Sequence, residues 1–304
     1  MESTQLSWAW IWWSVLVLIN IINLTIALVF FRKKVSGPEN SSYLKRMKLM
    51  GVIFIAVALY RSIFVSSYLE QLAWFDTLAN SSLLIRSMAL FAELSFAGLF
   101  MGAMLKLNDD LRLYRSTEKS FVDTLVSQSP KFLFLCIFIA QFFATTALIT
   151  KFELLFAIEE TLWGMAFISV FPLAIKQLRA VSVSNHSSFG LRLIKPFVWI
   201  NITWLVGYCS YSVFYHLPIE YWPHVLENLK QGNYQILTGI QAVKNALLVV
   251  NETRDLSQWG GVGFVIWHTG YFSICAWIVL LLMNGPRLLP ARVKEATSVE
   301  IQAA

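Results

Sequence analysis

Seven apolar runs, each bounded by polar or charged residues, divide the chain: 8–31, 48–69, 83–105, 132–150, 153–175, 193–215 and 262–284. An α-helix needs about 20 mostly apolar residues to cross a bilayer, so each run predicts a membrane-spanning helix. The first run is longer than the apolar core of a signal peptide, and no small-residue cleavage site follows it. It therefore reads as a retained span. The connections are short except the sixth, 216–261. Within it, "NYQILTGIQAVKNALLVV" carries Ile236, Ile240, Val243, Leu247 and Val250 at alternating spacings of four and three. That stripe predicts an amphipathic helix. It is too short and too polar for an eighth span, with Lys244 and Asn245 inside it, so it is expected to lie on the bundle mouth or in the interface. The pattern gives an all-α polytopic membrane protein of seven helices. Residues 1–287 form the membrane domain, and 288–304 form a short cytoplasmic tail.

Composition strengthens this reading. Hydrophobic residues make up 57% and charged residues 14%, against roughly 25% charged in soluble domains. The mean hydropathy is +0.61. Net charge is +6, and its placement matters more than its size. Of the 24 Lys and Arg, Arg61 and Arg86 fall inside spans, and Lys151, Lys230, Lys244 and Arg254 fall in the even-numbered connections. The other eighteen lie in the odd-numbered connections and the tail, counting Lys48 and Lys195 at the span borders with the connections beside them. The positive-inside bias then places the N-terminus outside and the tail in the cytoplasm. Basic charge is thereby explained by topology and by contact with anionic lipid, which leaves a nucleic-acid partner no role. Cys136, Cys209 and Cys275 are far apart inside apolar runs and read as small buried hydrophobes. The chain has no C-x-x-C pair, phosphate-binding loop or G-x-G-x-x-G.

With the orientation fixed, polar residues within the spans acquire depths. Charged groups there are costly and seldom idle. Arg61 falls in the outer part of the second span, together with Ser66 and Tyr68. Arg86 lies near the outer end of the third, and Glu93 near its middle. Glu159 and Glu160 fall in the outer half of the fifth, and His268 near the start of the seventh. The inner halves are almost purely apolar, apart from Asn20, Asn23, Asn201 and Thr203. This distribution predicts a cavity open to the outside or the outer leaflet, with Glu93 at its floor and an apolar plug below. The candidate ligand-binding set is Arg61, Arg86, Glu93, Glu159, Glu160 and His268. Arg86 and Glu93, seven residues apart, share a helix face at a Cα separation of about 10.5 Å. They are expected to flank a ligand or another helix's group without pairing tightly, and a structural Arg61–Glu93 pair is the competing expectation. Glu159 and Glu160 are about 100° apart around a helix, so one is expected to face the bundle and the other to turn away.

Other features have milder readings. Gly98-x-x-x-Gly102 permits close helix approach, and Trp8, Trp10, Trp12 and Trp13 read as an interfacial belt. Asn80-Ser-Ser and Asn251-Glu-Thr are glycosylation sequons on the outer side. His216, His224 and His268 all lie toward the outer surface without a metal-motif spacing, so no metal site is assigned. Gly232, Gly239 and the glycines at 260–263 flank the amphipathic stripe, which reads as a lid over the cavity or a static cap.

Three function classes fit. The first is a receptor-like or carrier-like protein binding a small amphipathic ligand or ion. The second is a membrane-embedded enzyme acting on a lipid or quinone with a buried Glu as acid or base. The third is an accessory subunit of a membrane complex. Seven spans with the N-terminus outside are similar to rhodopsin topology, yet 262–284 holds no Lys for a retinal Schiff base. No H-x-x-x-H pair of the seven-span zinc amidohydrolases is present. Binding or transport is favoured over catalysis. No cofactor can be named from the residues. The expected partners are the lipid bilayer of a cell or cytoplasmic membrane, a small amphipathic ligand, and another membrane protein or a second copy of the chain.

Overall fold

The computed structural model describes residues 2–34, 40–68, 70–114, 120–183, 189–232, 234 and 236–287. Arg115, Lys119, Arg292, Lys294 and the tail 288–304 lie outside the described residues. The long helices are α1 (Glu2–Arg32), α2 (Ser41–Ile63), α3 (Ser82–Asp110), α4 (Phe121–Thr150), α5 (Glu153–Val183), α6 (Phe189–Tyr208) and α9 (Gly261–Leu282). A π-helical segment, Cys209–Tyr221, and α7 (Trp222–Gln231) prolong α6, and α8 (Gly239–Leu248) follows. Two two-residue strands, β1 (Leu72–Ala73) and β2 (Asn251–Glu252), pair in parallel, Leu72 opposite Asn251.

Six helical stretches are long and apolar enough to cross a membrane: α1, α3, α4, α5, the α6–α7 rod and α9. That is the mark of a multi-pass membrane protein. The seventh predicted span falls short. α2 has 23 residues, among them Lys45, Arg46, Lys48 and Arg61, and it ends at Ile63 instead of running to Leu69. Ser66 and Tyr68 therefore belong to the connection beyond it. α2 is nonetheless part of the bundle, packed between α1 and α3. Apolar side chains such as Ile11, Val15, Leu18, Ile22 and Val29 of α1 point outward, an inverted surface that suits lipid rather than water.

Helix boundaries follow local chemistry. Ser81 accepts a bond from the Leu84 N–H, and Ser120 from the Asp123 N–H, each satisfying a free donor of a first helical turn. α4 stops at Lys151 and α7 at Gly232, both in the left-handed region that ends a helix. α3 is the central helix. Of its most apolar stretch 61% is buried, against 22% for α1. Gly98 and Gly102 sit where α3 meets α2, and side chains there would run into Met50 and Met47. Their spacing thus serves internal packing.

One end of the bundle carries a cap built from the α2–α3 connection and residues 236–260. Gln71 Nε2 donates to the main-chain and side-chain oxygens of Asn245 at 3.0 and 3.1 Å. Trp10, Trp12 and Trp13 gather around Trp74, with Trp259 on its other flank, so they are part of the protein core rather than a lipid-facing belt. Trp8 alone of the four is well exposed. Asn80 is buried with its amide donating to the Val65 carbonyl at 2.6 Å, so its sequon is not available in the folded chain.

The sixth connection is less loop-like than its polarity predicts. Residues 216–231 continue the α6 rod as helix. The amphipathic helix is shortened to ten residues, leaving Ile236 and Val250 outside it. It docks on α3 and α4 through Ala242 and Ala246, while Ile240 and Leu248 stay exposed. Small residues won the interface because they allow the closest approach.

Candidate functional site

α3 supplies the centre of the site. Arg86 and Glu93 do pair, contrary to the expectation from their spacing. Nη1 meets Oε1 at 3.1 Å and Nη2 meets Oε2 at 3.3 Å. The long guanidinium arm closes the gap that two turns of helix leave between them. Gln141 of α4 completes the network, accepting from Arg86 Nη2 at 2.7 Å and donating to Glu93 Oε2 at 2.8 Å. Glu159 of α5 approaches Arg86 Nη2 at 3.5 Å. One guanidinium thus serves two carboxylates and an amide, and all four residues are at most 8% exposed. Charge-assisted bonds of this kind lock three helices in a setting where an unpaired charge is prohibitive.

A cavity of about 550 Å³ opens beside this network. Glu93, Glu159 and Glu160 line it, with Ser212, His216 and Cys275. The rest of the wall is aromatic: Phe54 and Phe96 from α2 and α3, Trp163 and Phe167 from α5, Trp204 and Tyr208 from α6, Tyr211 from the π-helical segment, and Trp267 and Tyr271 from α9. Both Glu159 and Glu160 reach the cavity, where only one was expected to face inward. α5 borders it with a face broad enough to include two successive positions. Glu160 makes no hydrogen bond or ion pair with any described residue. Trp204 Nε1 also lacks a hydrogen-bond partner among the described residues.

The rim lies between the α6 rod and α9. α6 packs on α5, and α9 on α1 and α2, while α6 and α9 barely touch. Tyr211 and Trp267 stand at this gap, 61% and 57% exposed. The cavity therefore opens sideways, through the flank of the bundle. α8 takes no part in its lining, which removes the structural basis for α8 as its lid.

Two members of the predicted set are elsewhere. Arg61 is buried in an aromatic nest, its guanidinium carbon 5.1 Å from the Phe272 ring centroid, 5.4 Å from Tyr68 and 5.9 Å from Tyr271. It forms no ion pair among the described residues, so the alternative Arg61–Glu93 pair is absent. Its charge rests on ring faces instead. His268 is enclosed by the rings of Trp12, Phe264, Trp267 and Phe272 and does not reach the cavity. His216 pairs with Glu220 at 3.0 Å, and His224 with Asn228 at 3.1 Å. No group of three metal-ligating side chains forms among the described residues.

Sequence reasoning missed Gln141 as a site residue and most of the aromatic wall. A signal for the wall existed. Glu159, Trp163 and Phe167, then Trp204, Tyr208 and Ser212, then Trp267, Tyr271 and Cys275, each recur at intervals of four. Such residues share one helix face.

The fold and site define a helical bundle with six candidate membrane spans and an internal cavity of carboxylates set in aromatic walls. Comparison with protein-family models, with curated proteins and with solved structures finds no match.

Proposed function

We propose that this is an integral membrane protein that binds a small amphipathic molecule in the cavity between α5, the α6 rod and α9, as a receptor or a carrier. The observation that carries this reading is the cavity itself. Its volume of about 550 Å³ falls within the roughly 300–1,000 Å³ of small-molecule sites. It also has their composition, mostly apolar walls with a few convergent polar groups. The sideways gap at Tyr211 and Trp267 offers a route from the bilayer, where an amphipathic molecule already concentrates. In this reading α2 also crosses, giving seven spans. The end holding most of the basic residues faces the cytoplasm, and the capped end faces out.

The test is unbiased mass spectrometry of small molecules retained by the purified protein, beside a Ser212→Trp variant that fills the cavity. The wild type is expected to retain a defined molecule that the variant lacks. Equal content in both, or nothing above bulk lipid in the wild type, would defeat the reading.

A further inference from the structure

Three carboxylates line one cavity, and its nearest guanidinium satisfies two of them. Arg86 holds Glu93 and reaches Glu159. Glu160 is left with no hydrogen bond or ion pair among the described residues. The other charged groups nearby do not change this. Arg61 sits among Tyr68, Tyr271 and Phe272, behind the wall that Tyr271 forms. His216 is engaged with Glu220. A half-buried carboxylate against apolar walls is costly to keep charged, so it either takes up a proton or gains a positive partner. Those walls are themselves aromatic, and aromatic faces attract cations.

A bare metal ion does not fit. No three carboxylate, His or Cys side chains among the described residues converge closely enough to hold one. The positive group must be larger and must carry apolar surface to meet Trp163, Trp204 and Tyr208. An anionic amphiphile would face a net negative charge, three carboxylates against one guanidinium. We infer that the cavity takes an organic cation, an amine or quaternary ammonium bearing apolar bulk, with Glu160 as its counter-charge. This rests on the reading of the cavity as a ligand site.

The experiment uses the full chain in lipid nanodiscs and isothermal titration calorimetry with three probes of similar size: benzyltrimethylammonium, neutral N-benzylacetamide and anionic phenylmethanesulfonate. The cation is expected to bind at least about tenfold more tightly than the amide, and the sulfonate not at all. In Glu160→Gln the cation should bind no more tightly than the amide does to the same variant. Trp163→Leu, which keeps every carboxylate, should weaken the cation several-fold. If the amide or the sulfonate binds as tightly as the cation in the wild type, or if Glu160→Gln keeps the cation preference, the inference is wrong while the cavity remains a ligand site. If none of the three binds, the inference is wrong, and the retained-molecule comparison with Ser212→Trp decides the proposed function separately.

Discussion

The Arg86 guanidinium is the residue on which the site turns. Arg86→Met would strip Glu93, Glu159 and Gln141 of their shared donor. Breaking a buried charge network from one side costs about 3–5 kcal/mol, so a clear drop in melting temperature in detergent is expected. The triple variant Arg86→Met, Glu93→Leu, Gln141→Leu should recover most of that loss, because well-packed apolar groups replace buried ions at little cost. It should nevertheless lose the retained molecule; recovery of both stability and ligand would make the network purely structural. Gly51 offers a test of packing. Any side chain there overlaps Met283 Cγ, close to that residue's main chain. Gly51→Val should cost about 1–3 kcal/mol by overpacking, read as lowered thermal stability. Glu93 and Glu159 were legible from their improbable depth in apolar runs. Gln141 was not, because an amide in a span costs little enough to occur anywhere. Its role depends on meeting Arg86 across two helices.

Among the elements, the helices α1, α3, α4, α5 and α9 follow from run length alone, since lipid leaves the backbone few alternatives. Their ends did not. α4 begins eleven residues before its apolar run, because Ser120 caps it and the first three turns need not be lipid-soluble. The rod from α6 through the π-helical segment to α7 was read as span plus loop. Polar residues after Tyr215 resemble a connection, yet the helix runs on to Gly232, with Pro218 taken up inside the π-helical segment and Pro223 in the first turn of α7. α8 was recognised as amphipathic, but its contact with the bundle was not: Ala242 and Ala246 are buried, Val243 and Leu247 of the stripe are half-buried, and Ile240 is exposed. Ala246→Phe should therefore loosen α8 from Ala144, Ala147 and Leu148 and lower the melting temperature, with retained small molecule unchanged. A change in ligand content or exchange rate would give α8 a part in the cavity after all.

At the scale of the whole molecule, orientation is the claim with most resting on it. Ser120 and Lys230 are exposed at opposite ends of the bundle, and Cys136, Cys209 and Cys275 are all buried. Single cysteines introduced at 120 and 230 should label from opposite sides of a sealed membrane, 230 from outside and 120 only after permeabilisation. Labelling of both from one side would overturn the seven-span arrangement and the direction in which the cavity opens. This orientation is an expectation that rests on the basic asymmetry alone. The cavity's sideways opening was not readable, because it depends on which helices fail to touch, and no residue pattern records a missing contact.

The cap has a consequence for how the protein is made. Gln71 bonds to Asn245, β1 pairs with β2, Trp74 meets Trp259, and Trp12 donates to Thr269 at 2.8 Å. Each tie joins the first quarter of the chain to the last. During synthesis α1, α2 and the segment after them emerge long before any of these partners exists. Trp12 and Trp74 can meet each other early, but Gln71 and β1 have no partners until residues 245–252 emerge, and the Trp12 N–H has none until Thr269. The cap therefore closes late, and a chain halted before residue 245 would leave Gln71, β1 and the Trp259 side of Trp74 without their partners.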